Sequence, residues 1–474
     1  MVFSSSLFLL FFFPAFLLVY YLVANPYKNI VALAFSVFFY MWGAPLFIFM
    51  VSGSIALDFY IIRYMDSQVG KKKRLWLAVS VILNVGLLLY FKYANFLVDN
   101  VNQFLQATGS NGFDWVRVAL PIGISFFTFQ KLSYSIDVYR KVHRPLDVLW
   151  DYALYIILFP QLIAGPIVRY HEIADQIRDR SNQETMDNRL LGFFRFIIGL
   201  SKKVLIANVL GAEVDRIFSL PETALSTPVA WFGIIAYSFQ IYFDFSGYSD
   251  MAIGIGRMIG FKFPENFNNP YISRNITEFW RRWHMTLGRW MKDYLYIPLG
   301  GSRVKTKRRL FFNLWVVFLI SGLWHGAAWN FVVWGAFHGL FLVLDRLFLA
   351  KFSIWVRKFP SVMLTYIVTL VGWVLFRSEN FDQVGFYLKS MFSWKLVGPG
   401  FHPGAHFWAI MILATFFSFF AFRKGIESWQ ERYLGDLPST SAAIFRSCVS
   451  LILLAICLAF ITSSGFNPFI YFRF

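Results

Sequence analysis

The sequence predicts an all-α, polytopic integral membrane protein. Three observations carry that reading. Hydrophobic residues make up 58% of the chain and aromatic residues 21%. Charged residues make up only 15%, where a soluble domain carries about 25%. The apolar residues are also gathered into runs of bilayer length, since about 20 of them cross a hydrocarbon core.

Taken in order, the candidate spans fall near 6–24, 30–44, 46–65, 75–92, 115–135, 190–211, 227–247, 310–325, 327–349, 360–377, 405–421 and 443–463. Allowing one or two to be short, tilted or broken, these predict about 11 transmembrane helices. The first run, Met1 to Ala24, has no basic start and no small-residue cleavage site before Pro26, so it is read as a retained span. Asp99 to Asp114, Arg169 to Asn188 and Gly211 to Thr227 are the longest polar stretches, and all are loop-sized. With no linker and no repeat at a fixed period, residues 1–474 are read as a single domain.

The net charge of +18 points to cytoplasmic loops and anionic lipid rather than nucleic acid. The basic runs are Lys71 to Arg74, Arg303 to Arg309, Lys351 to Lys358, and Arg423-Lys424. An N-terminus outside places them in the cytoplasm, and the tail Phe466 to Phe474 outside. Cys448 and Cys457 both lie in the last span, where they imply no disulfide framework and no metal site. They read as small packing residues.

Three regions do not read as plain spans. Phe159 to Pro166 breaks an apolar run with two prolines and a glycine. Such backbone at membrane depth is tolerated only inside protein or beside water, so a re-entrant segment is expected, with an interfacial turn as the alternative. Lys202-Lys203 interrupts the run from Leu190 to Leu210, and snorkelling to an interface would account for it. Gly254, Gly256 and Gly260 miss the dinucleotide fingerprint spacing. Gly256 and Gly260 are read as close helix packing. Asp244 and Asp250 are expected to cap a tight turn at Ser246-Gly247-Tyr248.

Two runs carry chemistry. His325 lies in Ser321-Gly322-Leu323-Trp324-His325-Gly326, inside an apolar stretch from Phe311 to Leu344. A histidine at bilayer depth is costly unless partnered or used. Gly322 and Gly326 are expected to leave the imidazole room. The second run, Phe279 to Lys292, puts Trp280, Trp283, Leu287, Trp290 and Met291 on one arc of a helical wheel. Arg281, Arg282, Arg289 and Lys292 share another. That pattern predicts one amphipathic helix in the cytoplasmic interface, with His284 at the edge of the apolar arc. His284 alone could be a histidine bonded to a neighbouring helix. His284 and His325, 41 residues apart across a basic loop, can instead share one central cavity. A neutral imidazole there suits general-base work near pH 7. His338 falls on a different face from His325 and is read as structural, bonding between helices. The chain has no Gly-x-Ser-x-Gly elbow, His-Glu-x-x-His or P-loop. A histidine site with neither metal nor covalent nucleophile points to direct group transfer between two bound substrates.

These runs resemble the membrane-bound O-acyltransferase family, more narrowly the bacterial branch that includes the membrane subunit of alginate O-acetyltransferase. The likeness covers nearly the whole chain. It takes in Met1 to Ser5, Pro121 to Gln130, Phe159 to Pro166, Asp244 to Ala252, Pro264-Glu265-Asn266-Phe267, Trp280 to Trp290, Tyr296 to Ser302, the His325 run and Phe469 to Phe472. The relative that moves D-alanine onto teichoic acid shares the Trp283-His284 and Trp324-His325 elements. The resemblance implies a two-sided enzyme of the bacterial inner membrane, with His325 and His284 as its catalytic pair. It implies no bound cofactor, with acetyl-CoA as the donor substrate. Arg281, Arg282, Arg289 or the loop Arg303 to Arg309 would attract the donor's phosphates by charge. The acceptor would be an exopolysaccharide, reached through a periplasmic SGNH-type esterase-like partner. The rivals are acyl or D-alanyl transfer to another envelope polymer, and a non-catalytic export or flippase component. A transporter should show paired broken helices, and Phe159 to Pro166 has no counterpart.

Overall fold

A computed structural model describes residues 1–396, 402–423 and 425–463. Among the described residues the regular structure is entirely helical. Six helices are long and apolar enough to cross a membrane: Phe47–Ser67, Gly70–Ala107, Trp329–Trp355, Lys358–Arg377, Ala405–Phe422 and Thr440–Ser463. Phe8–Leu22 is apolar but shorter. Other expected spans are shorter or more polar than that standard. Lys28–Gly43 and Ile124–Tyr139 have 16 residues each, and Lys307–His325 opens on three basic residues. The expectations for the tail after Phe466, and for Lys424, lie outside the described residues.

The chain forms two compact units. The first comprises Met1–Val2, Leu7–Thr185 and Ile259–Pro264. Its helices close around a buried carboxylate. Asp58 on Phe47–Ser67 accepts hydrogen bonds from Ser80 Oγ (2.7 Å), Asn84 Nδ2 (2.9 Å) and Tyr152 OH (2.5 Å). Phe159 to Tyr170 is buried throughout. Phe159 and Pro160 begin a four-residue helical turn, Phe159–Leu162. The Phe159 ring packs against Phe12, Phe16 and Phe39 at 5.1–5.5 Å. A Cβ at Gly165 would lie 2.6 Å from the Pro160 carbonyl, so the reversal requires glycine. The broken segment is thus enclosed by protein, as irregular backbone in an apolar solvent must be.

The second unit comprises Phe3–Ser6, Met186–Met258 and the described part of Glu265–Phe474. Its axis is Thr227–Met258, a helix of 32 residues, packed on Met186–Ser201. Glycines seven residues apart on each helix let the backbones touch. A Cβ on Gly192 would meet the Gly254 carbonyl at 2.6 Å, and one on Gly199 the Gly247 carbonyl at 2.5 Å. The contact therefore uses Gly247 and Gly254, where the sequence suggested Gly256 and Gly260. Gly260 instead ends the helix at φ +82°.

The lysine pair is also corrected. Lys203 Nζ lies 2.7 Å from Asp244, both nearly inaccessible, and Lys202 Nζ lies 2.6 Å from Asp250. Arg195 joins Asp250 (2.6 Å) to Glu265 (2.7 Å). Neither lysine snorkels, and neither aspartate caps a turn, because helix Thr227–Met258 runs unbroken through both. Lys203 and Asp244 are buried as a pair, and removing one member of such a buried pair costs about 3–5 kcal/mol.

Candidate active site

His325 is the last residue of Lys307–His325, which packs against Trp329–Leu344. The glycines around it serve that packing. A Cβ on Gly322 would stand 2.2 Å from the Phe331 carbonyl, and one on Gly335 2.3 Å from the Phe318 carbonyl. A Cβ on Gly326 would enter the Phe331 ring at 2.2 Å. The space beside His325 is therefore taken by Phe331 and does not stand open for the imidazole. The ring, 7% exposed, is enclosed edge-on by Trp324, Trp334 and Phe376, with centroids at 4.9, 5.1 and 5.3 Å.

His284 is not inside one amphipathic helix. The expected helix breaks there into Ile276–Arg282 and Met285–Met291. His284 joins them at φ 45°, ψ 51°, a left-handed conformation that costs a non-glycine residue about 1–3 kcal/mol. The segment 266–268 holds it there. The Met285 N–H donates to the Asn266 carbonyl (2.8 Å), and the Asn268 N–H donates to the Arg282 carbonyl (2.9 Å). His284 Nδ1 lies 3.0 Å from Asn266 Oδ1. Its Nε2 is buried and has no hydrogen-bond partner among the described residues. The two-faced pattern survives the break: Trp283, Leu287, Trp290 and Met291 are buried, while Arg281 is exposed.

The imidazoles of His284 and His325 are brought together, with centroids 6.4 Å apart and planes at 58°. Phe245 stands edge-on to His284 at 4.7 Å. His338 is fully buried, but it bonds to no helix. Neither ring nitrogen has a hydrogen-bond partner among the described residues. Its ring stands edge-on to Trp280 and Trp334, each at 5.0 Å, and a Cβ on Gly372 would press its Nε2 at 2.8 Å. Aromatic rings and the Gly372 backbone pack against it. A cavity of about 90 Å³ in the same unit is lined by Arg274, Asn275, Phe341, Asp345 and Thr365 among others, and its lining includes neither His284 nor His325.

The three arginines are not equivalent. Arg282 donates to Glu278 (3.1 Å), to the Asn268 carbonyl (3.2 Å) and to Glu427. Arg289 donates to the Glu265 carbonyl (3.1 Å). Both brace the loop that carries Asn266, whereas Arg281 faces outward. Sequence reasoning missed Asn266 and Thr286 as neighbours of His284. The only available signal was the run Pro264-Glu265-Asn266-Phe267.

Two buried imidazoles in ring contact, on a many-helix membrane scaffold, suit proton transfer during acyl exchange. Known proteins similar to this chain include some named as acetyl-transfer enzymes. The family model described as membrane-bound O-acyltransferase matches residues 142–377. A probable alginate O-acetylase of Pseudomonas aeruginosa is 42% identical over 433 residues, covering 88% of this chain and 81% of that protein. Its counterpart in Pseudomonas putida is 38% identical along the full length of both. A peptidoglycan O-acetyltransferase of Helicobacter pylori is 39% identical over 425 residues, covering 82% and 80%. Fold and likeness define a multi-pass membrane acyltransferase. The chain belongs to the membrane-bound O-acyltransferase family.

Proposed function

We propose that this protein takes an acetyl group from acetyl-CoA on the cytoplasmic side of a bacterial inner membrane and delivers it toward hydroxyls of an exported polysaccharide. Alginate or a similar polymer is the acceptor class that the relatives' names favour. The observation that carries the chemistry is the pairing of His284 and His325 at 6.4 Å. His325 is assigned as general base. It takes the acceptor's hydroxyl proton as that oxygen attacks the thioester carbonyl. The C–O bond forms, the C–S bond breaks, and the departing thiolate recovers the proton from the imidazolium. His284 orients the thioester or assists. Arg281, exposed on the same segment, is the arginine best able to meet donor phosphates. Arg282 and Arg289 support the loop behind it and would have to exchange partners to join in.

A periplasmic SGNH-type partner is proposed to hold the glycan, since long polar segments are absent from the described outer loops. Purified chain with acetyl-CoA should release CoA slowly and leave added polysaccharide unmodified until that partner is supplied. Efficient acetylation by the chain alone would overturn this division of labour. In a cysteine-free background, Thr306→Cys should resist a membrane-impermeant thiol reagent in intact spheroplasts. Labelling there would invert the topology and remove acetyl-CoA as donor. The central test is polymer acetyl content in a deletion strain carrying His325→Ala, where wild-type acetylation would sink the catalytic assignment.

A further inference from the structure

We infer that Asn266 is a positioning residue that fixes His284 as its Nδ1–H tautomer and leaves Nε2 as the ring's unshared lone pair. The inference rests on the two-histidine reading above for its consequence, but on geometry alone for its content. Asn266 is fully buried. Its amide could in principle face either way, because oxygen and nitrogen look alike in outline. One contact decides. The backbone N–H of Thr286, which can only donate, points at Asn266 Oδ1 from 3.3 Å, and Thr286 Oγ1 lies 2.8 Å from the same atom. Turning the amide over would set two N–H donors against each other. In the upright orientation the Asn266 Nδ2 donates to Ser249 Oγ at 3.0 Å. Oδ1 is therefore an acceptor, and His284 Nδ1, at 3.0 Å from it, must be the donor. A neutral imidazole carries one ring proton. With that proton on Nδ1, Nε2 is bare, and it is the buried atom with no hydrogen-bond partner among the described residues.

The orientation is backed on the far side as well. Ser249 lies on the buried helix Thr227–Met258 next to Asp250, which Arg195 ties to Glu265. Glu265 is the residue before Asn266, so one ion pair and one side-chain bond hold this loop to the helix. Backbone bonds on either side of His284 then leave its ring little freedom to turn. What reaches the active site is a base whose lone pair is committed in advance to Nε2, directed away from Asn266.

The test uses the full-length protein labelled with ¹⁵N-histidine. The chain has seven histidines, so a difference spectrum against His284→Gln is needed to assign the signal. The wild type should show a protonated Nδ1 and a bare Nε2. Asn266→Ala should mix or reverse the tautomers and lower kcat by about 10–100-fold, as loss of a partner that orients a functional imidazole does elsewhere. The KM for acetyl-CoA should hardly move. Asn266→Asp keeps an acceptor at Nδ1 and should return the tautomer and bring turnover to within about tenfold of wild type. A wild-type His284 protonated on Nε2 would overturn the inference, as would an Asp variant no better than the Ala variant. Should Asn266→Ala fail to fold, the wild-type spectrum and Asn266→Asp decide alone. If His284→Gln transfers acetyl at the wild-type rate, the two-histidine mechanism falls, while the spectrum still reports whether Asn266 sets the tautomer.

Discussion

Asp58 in the first unit and His284 in the second are both ionisable, both buried, and treated in opposite ways. Asp58 accepts three hydrogen bonds, from Ser80, Asn84 and Tyr152, and both oxygens are used. His284 has one ring nitrogen bound to Asn266 and the other left without a hydrogen-bond partner among the described residues. In the same unit Trp280 Nε1, Trp334 Nε1 and both nitrogens of His338 also have no hydrogen-bond partner among the described residues. A buried polar group left unmade costs about 1–3 kcal/mol. A core built for stability satisfies such groups, as the Asp58 network does. Unmet buried groups are expected where a site gives up stability for binding or chemistry. The contrast sets a satisfied structural clamp beside the site proposed to carry the chemistry.

Mutations can break that comparison. The largest effect is expected at His325. His325→Ala should lower acetyl transfer by about 10²–10⁴-fold with membrane level and melting temperature nearly unchanged. Asp58→Ala should do the reverse. It removes the acceptor shared by three interior donors and should cost about 3 kcal/mol or more of stability. The check is a lower thermal midpoint in detergent, with normal turnover per surviving molecule. If Asp58→Ala is stable but inactive, the network is part of the mechanism and the contrast fails. His284→Ala should reduce transfer by about 10²-fold, read as initial rate of CoA release. Full activity there, with His325→Ala dead, would return His284 to a structural role.

Gly322→Ala tests packing rather than chemistry. Its Cβ would collide with the Phe331 carbonyl, and overpacking of this kind costs about 1–3 kcal/mol. Stability should fall first, with activity following through displacement of His325. The smallest effect is expected at His338. His338→Phe keeps a flat ring against Trp280 and Trp334, and turnover should stay within about threefold, under 1 kcal/mol of barrier. A drop beyond about 10²-fold would make His338 a third member of the site.

The sequence by itself determined the solvent, the helical class, the family and the two histidines. Those properties are written in composition, in run length and in short motifs, all of which act locally. It also placed Trp283 and Trp290 on the buried side. The tertiary structure decided everything that depends on residues far apart in the chain. One periodic pattern became two helices, because a left-handed His284 is stable only when residues 266–268 hold it, and no periodicity encodes that. Lys202 and Lys203 looked like snorkelling residues because Asp250 and Asp244 lie more than forty residues further along the chain. Gly322 and Gly326 looked like room for an imidazole, and Phe331 from the next helix fills it. Asn266 could be seen only as part of a motif. Its role depends on which of its atoms meets the Thr286 N–H, and that is settled by three-dimensional contact alone.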